Sequence, residues 1–168
     1  MRFPTKFLVL LMVSSASTAF GSYSLFNPEQ AEALRPELRK LFGPQSSNFR
    51  YDRRMVEAAE IASNRAASAS TQSCWRYVKT ALLRAQIIES YPKTRLAKEA
   101  GVELQTQFGF RKLNVSDPYK APPGSVIVYG GAGAGHVELR SKEGFVSDFV
   151  SAKPSPRPLI GVYVKPRS

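Results

Sequence analysis

The chain has 168 residues, 43% of them hydrophobic, with a formal net charge of +11, one cysteine and one histidine. That length suits one domain with a real core and not comfortably two, while a lone cysteine excludes an internal disulfide framework and the Cys/His count disfavours a zinc site. The charge favours an anionic partner, but the basic residues are scattered in short clusters such as Arg50 to Arg54, with no ribonucleoprotein, zinc-finger or recognition-helix pattern, so nucleic acid is not the expected one.

Residues 1 to 21 have the order of a Sec-type signal peptide: Arg2 and Lys6, the apolar run Phe7 to Val13, then Ala19-Phe20-Gly21 as a small-x-small cleavage site. The run is too short to span a bilayer and no other segment is apolar enough. The expectation is an exported protein, periplasmic or secreted, without stable membrane insertion. Residues 22 to 70 form an N-terminal helical segment. Asn27 is expected to cap a helix with Pro28 in its first turn and Gln30 in a capping box, Pro36 to kink or divide it, and Gly43-Pro44 to end it. Asp52 caps a second helix carrying Met55, Val56, Ala59 and Ala62, and the Ala/Ser run from Ala66 to Ser70 is a turn or linker.

The most periodic helix follows. Cys74, Tyr77, Val78, Ala81, Leu82, Ala85 and Ile88 recur at three- and four-residue intervals, with Ser73 as N-cap and Tyr91-Pro92 as the stop. A cysteine in the first helical turn lies beside unpaired N–H groups and the positive end of the helix dipole, which favour the reactive thiolate. The alternative for Cys74 is a small buried hydrophobe. A third helical pattern from Thr94 to Ala100 is broken at Gly101 and resumes over Val102 to Phe108.

From there the period becomes extended. Strands are expected over Phe110 to Val115, Ser125 to Tyr129, His136 to Arg140, Phe145 to Val150 and Leu159 to Val164, with Pro122-Pro123-Gly124 as a turn. Helices first and strands after make an α+β fold. Gly130 to Gly135 joins two strands, so it is not a phosphate loop. It is either a flexible turn or a wall without Cβ atoms, at Gly135 in particular, that lets a substrate approach His136. An exported chain with one cysteine and one histidine, each at the edge of an element, supports a thiol–imidazole pair.

On three motifs the sequence resembles the papain-like peptidoglycan hydrolases of the NlpC/P60 and CHAP group. Ser-Cys-Trp-Arg-Tyr-Val at 73 to 78 looks like the nucleophile motif opening a helix. Pro-Pro-Gly-Ser-Val-Ile-Val-Tyr at 122 to 129 looks like the Pro-Gly-Asp-hydrophobic strand, and Gly-His-Val-Glu-Leu at 135 to 139 like the strand bearing the base. Ser125 stands where the group usually has Asp. The resemblance implies N-terminal helices packed against a small antiparallel sheet, a catalytic domain over residues 71 to 168, and hydrolysis of peptide or amide bonds in peptidoglycan. It further implies Cys74 as nucleophile, His136 as general base and acid, and Asp148 as the orienting carboxylate, with no metal and no cofactor. Trp75, Tyr77 and Tyr129 are candidates to line the substrate cleft, the alternative for each being a core position. A silent wall-binding protein on the same fold, and a cationic protein acting through charge alone, are the competing functions.

Glu138 is a second possible partner for His136. If Ser141 to Phe145 is a three-residue hairpin loop pairing Ser141 with Phe145, then Glu138 lies opposite Asp148 and Val150 opposite His136. Glu138 would then have to lean back about 7 Å along its own strand, whereas Asp148 sits on the diagonal, so Asp148 is expected to serve the imidazole.

Overall fold

A computed structural model describes residues 50 to 167. The signal peptide of residues 1 to 21 and the helices expected between Asn27 and Leu41 lie outside the described residues. The fold is α+β, as expected. Helices α1 (Arg54–Arg65), α2 (Cys74–Arg84) and α3 (Ala100–Phe108) are followed by six strands: β1 (Arg111–Leu113), β2 (Val126–Tyr129), β3 (His136–Arg140), β4 (Phe145–Val146), β5 (Val150–Ser151) and β6 (Leu159–Val164). They form one antiparallel sheet in the order β1-β6-β2-β3-β4-β5.

The core has two parts because the centre of the sheet is covered on both faces. Val126, Val128, Val137 and Leu139 pack with Met55 and Ala59 of α1, Val78 and Leu82 of α2, and Leu104 of α3. Ile127, Tyr129, Val162 and Val164 point the other way, onto Leu113, Val115, Ala121 and Phe145. All four residues of β2 are therefore buried, as its unbroken apolar run requires. Among the described residues, no helix is long and apolar enough to cross a membrane.

Three local expectations are corrected. First, α2 ends at Arg84, well before Tyr91-Pro92. Gln86 adopts left-handed geometry with φ 55°, and the N–H groups of Gln86 and Ile87 return to the carbonyls of Leu83 and Leu82 at 3.0 Å each. This is a Schellman closure with glutamine in the place usually held by glycine, stabilised by burial of Ile87 and Ile88 directly after it. Second, Gly101 lies inside α3 and does not break it, while residues 97 to 99 form a separate 3-10 turn. A Cβ on Gly101 would stand 2.3 Å from the Tyr163 ring, so the position is glycine because β6 approaches the helix there. Gly101→Ala should cost about 1–3 kcal/mol by overpacking, because the buried Tyr163 cannot swing aside. Thermal melting checks this, and an unchanged midpoint would contradict it.

The third correction is to the sheet register. Arg140 pairs with Phe145 and Leu139 with Val146, one residue away from the expected alignment, and the ladder stops after these two pairs. Arg140 accounts for the shift: its guanidinium donates to the carbonyls of Ser141 (3.0 Å) and Gly144 (2.6 Å) and lies 4.7 Å from the Phe145 ring, closing a four-residue loop. The expected strand over Phe145 to Val150 instead reverses at Ser147 to Phe149, with β5 folding back on β4. The return strand runs so close that a Cβ on Gly144 would meet the Ser151 carbonyl at 2.3 Å. This reversal takes Asp148 out of the sheet.

Candidate active site

Cys74 opens α2 and is half-buried. Ser73 occupies the N-cap position, but its hydroxyl donates to the Thr71 carbonyl at 3.2 Å and does not cap the helix. The first helical hydrogen bond runs from the Tyr77 N–H to the Ser73 carbonyl at 3.1 Å. The first-turn N–H groups beside the thiol are thus left uncapped by Ser73, at the positive end of the helix.

His136 begins β3. The residue before it, Gly135, has φ 76°, and a Cβ there would lie 2.5 Å from the Tyr129 carbonyl and 2.9 Å from the Lys98 N. The Lys98 N–H also donates to the Ala134 carbonyl at 2.9 Å. Gly135 is therefore needed for the packing of the protein's own backbone, which sets where β3 starts. Cys74 and Glu138 both act on the His136 imidazole. Its Nε2 stands 3.3 Å from Glu138 Oε2, which leaves Nδ1 as the ring nitrogen available to the sulfur. Burial opposes the imidazolium, but the hydrogen bonds and charges of Cys74 and Glu138 outweigh it and raise the His136 pKa to about 9.

Glu138 is 3% exposed and both of its oxygens are engaged. Oε1 accepts from the Tyr129 hydroxyl at 2.5 Å and from the Ser155 N–H at 3.4 Å, leaving Oε2 to face His136. The register explains how it reaches the imidazole. Tyr129 lies directly opposite His136, with ring centroids 6.0 Å apart, so its hydroxyl draws the carboxylate back along β3 to the imidazole. Burial and the bond to Glu138 keep the Tyr129 phenol protonated, hence a donor. Tyr129 itself is 0% exposed, so it supports Glu138 and does not line a cleft.

Asp148 does not face His136 in the structure. It is fully buried, and its Oδ2 accepts from the Thr71 N–H (2.5 Å), the Thr71 hydroxyl (3.0 Å), the Ser73 N–H (3.1 Å) and the Ser70 hydroxyl (3.2 Å). Oδ1 takes the Ser147 hydroxyl at 3.0 Å. Burial works against its charge, but the hydrogen bonds from Ser73 and Thr71 prevail and hold its pKa at about 2. The physical reason for the correction is the chain reversal after Val146, which aims residue 148 at the segment before α2. Ser70-Thr71-Gln72-Ser73 was the available signal in the sequence: a cluster of short donors next to the cysteine needs an acceptor.

Trp75 is also corrected. It is 4% exposed and its indole N–H donates to the Thr94 hydroxyl at 3.1 Å, while that hydroxyl donates to Glu103 at 2.5 Å. Glu103 accepts from the backbone N–H groups of Lys93 and Thr94 as well. Lys79 Nζ donates to the carbonyls of Pro92 and Thr94 and lies 5.0 Å from the Trp75 ring. This buried polar network clamps residues 92 to 94 onto α2, a role the sequence did not disclose. Tyr77, one turn beyond Cys74, stays half-buried, with the Arg65 guanidinium 5.5 Å from its ring centroid. Among the described residues, no group of three or more His, Cys, Asp or Glu side chains is placed to hold a metal ion.

No family model matches the chain, and no curated protein matches it. Among solved structures, the fold is similar to a chain of the type VI native effector-immunity complex Tae3-Tai3 from Ralstonia pickettii, at 24% identity and a TM-score of 0.54, covering 66% of this chain and 97% of that one. The selenomethionine form of the same complex aligns at 27% identity and a TM-score of 0.49, covering 65% of this chain and 97% of that one.

Proposed function

We propose that the chain is an exported cysteine hydrolase that cleaves peptide or amide bonds of bacterial peptidoglycan, acting in the periplasm or outside the cell. Cys74 is the nucleophile, His136 the acid and base, and Glu138 the carboxylate that orients the imidazole. The observation that carries the reading is the buried Glu138 carboxylate, held by the Tyr129 hydroxyl and 3.3 Å from the His136 imidazole, together with the influence of the Cys74 thiol on that same imidazole. One further feature favours the wall as substrate: the net charge of +11, suited to an anionic polymer. The motifs at 73 to 78, 122 to 129 and 135 to 139 point to the same substrate class.

In the first step, with the proton of the thiol–imidazole pair on His136, the Cys74 sulfur attacks the amide carbonyl carbon, forming a C–S bond, and the carbonyl oxygen takes the negative charge. The N–H of Cys74, at the uncapped start of α2, is the donor we assign to that oxyanion. Protonated His136 then gives its proton to the departing nitrogen, the C–N bond breaks, and an amine leaves a thioester behind. Water attacks the thioester with neutral His136 taking its proton, the C–S bond breaks, and a carboxylic acid leaves with the thiol–imidazole pair restored. Glu138 holds the ring orientation throughout and stabilises the imidazolium. Tyr77, the one candidate aromatic that stays partly open beside Cys74, is the residue we assign to the cleft wall, with Gly135 beside His136; Trp75 and Tyr129 serve the scaffold.

The test is to incubate the purified chain with peptidoglycan and analyse the soluble products by mass spectrometry. New peptide ends are expected. Co-sedimentation with the wall and no fragments would identify a silent binder and overturn the reading.

The raised His136 pKa sets the pH response. Because the imidazolium persists through neutrality and is lost as pH rises through about 9, the acid for the leaving nitrogen disappears there. The alkaline limb of kcat/KM is therefore expected near pH 9, not near the ordinary histidine value of about 6.5. Activity that increases through pH 9 would show that the neutral ring is the working form.

A further inference from the structure

Asp148 is a fully buried carboxylate outside the relay from Cys74 to Glu138, and its hydrogen bonds converge on the segment leading into the nucleophile. Four donors from Ser70, Thr71 and Ser73 meet on Oδ2 alone. Between the two backbone donors lies Gln72, exposed and at φ 58°, a left-handed conformation that a side chain with a Cβ rarely adopts. The residue is held there because its neighbours on both sides point their N–H groups into the same carboxylate oxygen. Around this centre the backbone is tied again: the Ala67 N–H donates to the Asp148 carbonyl at 2.8 Å, and Ala67 bridges Phe149. The turn ends at Ser73, the residue from which α2 starts, so its shape sets the direction in which the first turn presents Cys74.

We infer that Asp148 is the positioning residue of the nucleophile: its carboxylate shapes residues 70 to 73 into the turn that brings Cys74 to His136. The inference rests on the reading of Cys74 as nucleophile, and it assigns Asp148 a task different from that of Glu138. All of its acceptor capacity in the structure goes to the turn and to Ser147. The charge-assisted bonds it receives are the strong class of hydrogen bond, and without the carboxylate the Thr71 and Ser73 N–H groups would lose their acceptor.

The experiment uses the full-length chain and measures two things at a temperature below the melting of every variant. One is the rate of Cys74 alkylation by iodoacetamide across pH; the other is kcat and KM on solubilised peptidoglycan fragments. In Asp148→Ala, alkylation at neutral pH and kcat should each fall about a hundredfold with KM little changed, as expected when a reacting group is misplaced by about 1 Å. Asp148→Asn should retain kcat within about tenfold, because its amide oxygen still accepts from Thr71 and Ser73 while its NH2 donates to the Ser147 hydroxyl. A residue that only stabilises the fold would lower the melting temperature and leave the alkylation profile of the folded protein unchanged. That outcome in Asp148→Ala overturns the inference, as does an Asn variant as impaired as the Ala variant, which would mean that the charge itself acts in the reaction.

If Asp148→Ala does not fold, the double variant Ser70→Ala/Thr71→Val decides, since it removes two of the four Oδ2 donors and alters only exposed side chains. A fall in alkylation of about fivefold or more supports positioning by the turn, and a wild-type rate overturns it. Absence of fragment release by the unmodified chain would sink the hydrolase reading, while the alkylation rates would still decide whether Asp148 positions Cys74.

Discussion

Cys74→Ala should abolish the release of peptide fragments from peptidoglycan, a loss of at least about 10⁴-fold, with the fold and wall binding intact. The size follows from the mechanism, since no other thiol exists in the chain to form the acyl intermediate. The fold should persist because the substitution removes one atom from a half-buried position at a helix start, and alanine is a good helix former. Mass spectrometry of the soluble products reads the activity, and far-ultraviolet dichroism with a pelleting assay reads the fold and binding. Undiminished fragment release would remove Cys74 from the mechanism and the cysteine hydrolase with it.

Glu138→Gln should lower kcat about 10²- to 10⁴-fold and move the alkaline limb of the pH profile down from about 9. The amide keeps the volume of the carboxylate and an oxygen for the Tyr129 hydroxyl, so the buried site has little reason to rearrange. What it loses is the negative charge 3.3 Å from His136 Nε2, which helps to hold the proton on the ring. The direction is fixed by that sign: with one of the two groups that raise the His136 pKa gone, the imidazolium gives up its proton at lower pH. A Glu138→Gln variant with the parental rate and the parental limb would show that Glu138 does not orient the ring. Together with the two Asp148 variants this separates the carboxylates, because only Glu138 touches the imidazole and only Asp148 tolerates its amide.

Much of the site was legible because it depends on short-range chemistry. The stripe from Cys74 through Val78 and Leu82 produces an amphipathic helix wherever an apolar surface is available, and the helix does begin at Cys74. The β-branched run at 126 to 129 and the switch to extended periodicity at His136 likewise place β2 and β3, and Pro122-Pro123-Gly124 turns the chain into β2, where Ser125 closes the turn onto the Pro122 carbonyl at 2.7 Å. Each of these rests on neighbours a few residues apart, which the order of residues itself sets.

Only the tertiary structure decided which carboxylate meets His136. The expected register differed from the real one by a single residue, and the ladder ends at Val146, so the reversal that follows takes Asp148 out of the sheet altogether. The reversal at Ser147 to Phe149 is rewarded by donors at Ser70, Thr71 and Ser73, far away in sequence, and no local pattern encodes that gain. Glu138 reaches its place through Tyr129, a cross-strand partner rather than a sequence neighbour. The fates of Trp75 and Gly101 follow the same logic: Thr94 and Tyr163 come to them from other elements. Periodicity therefore determined where the thiol and the imidazole sit along the chain, while packing between distant elements determined what surrounds them, since a buried polar group takes whichever partner the fold brings within about 3 Å.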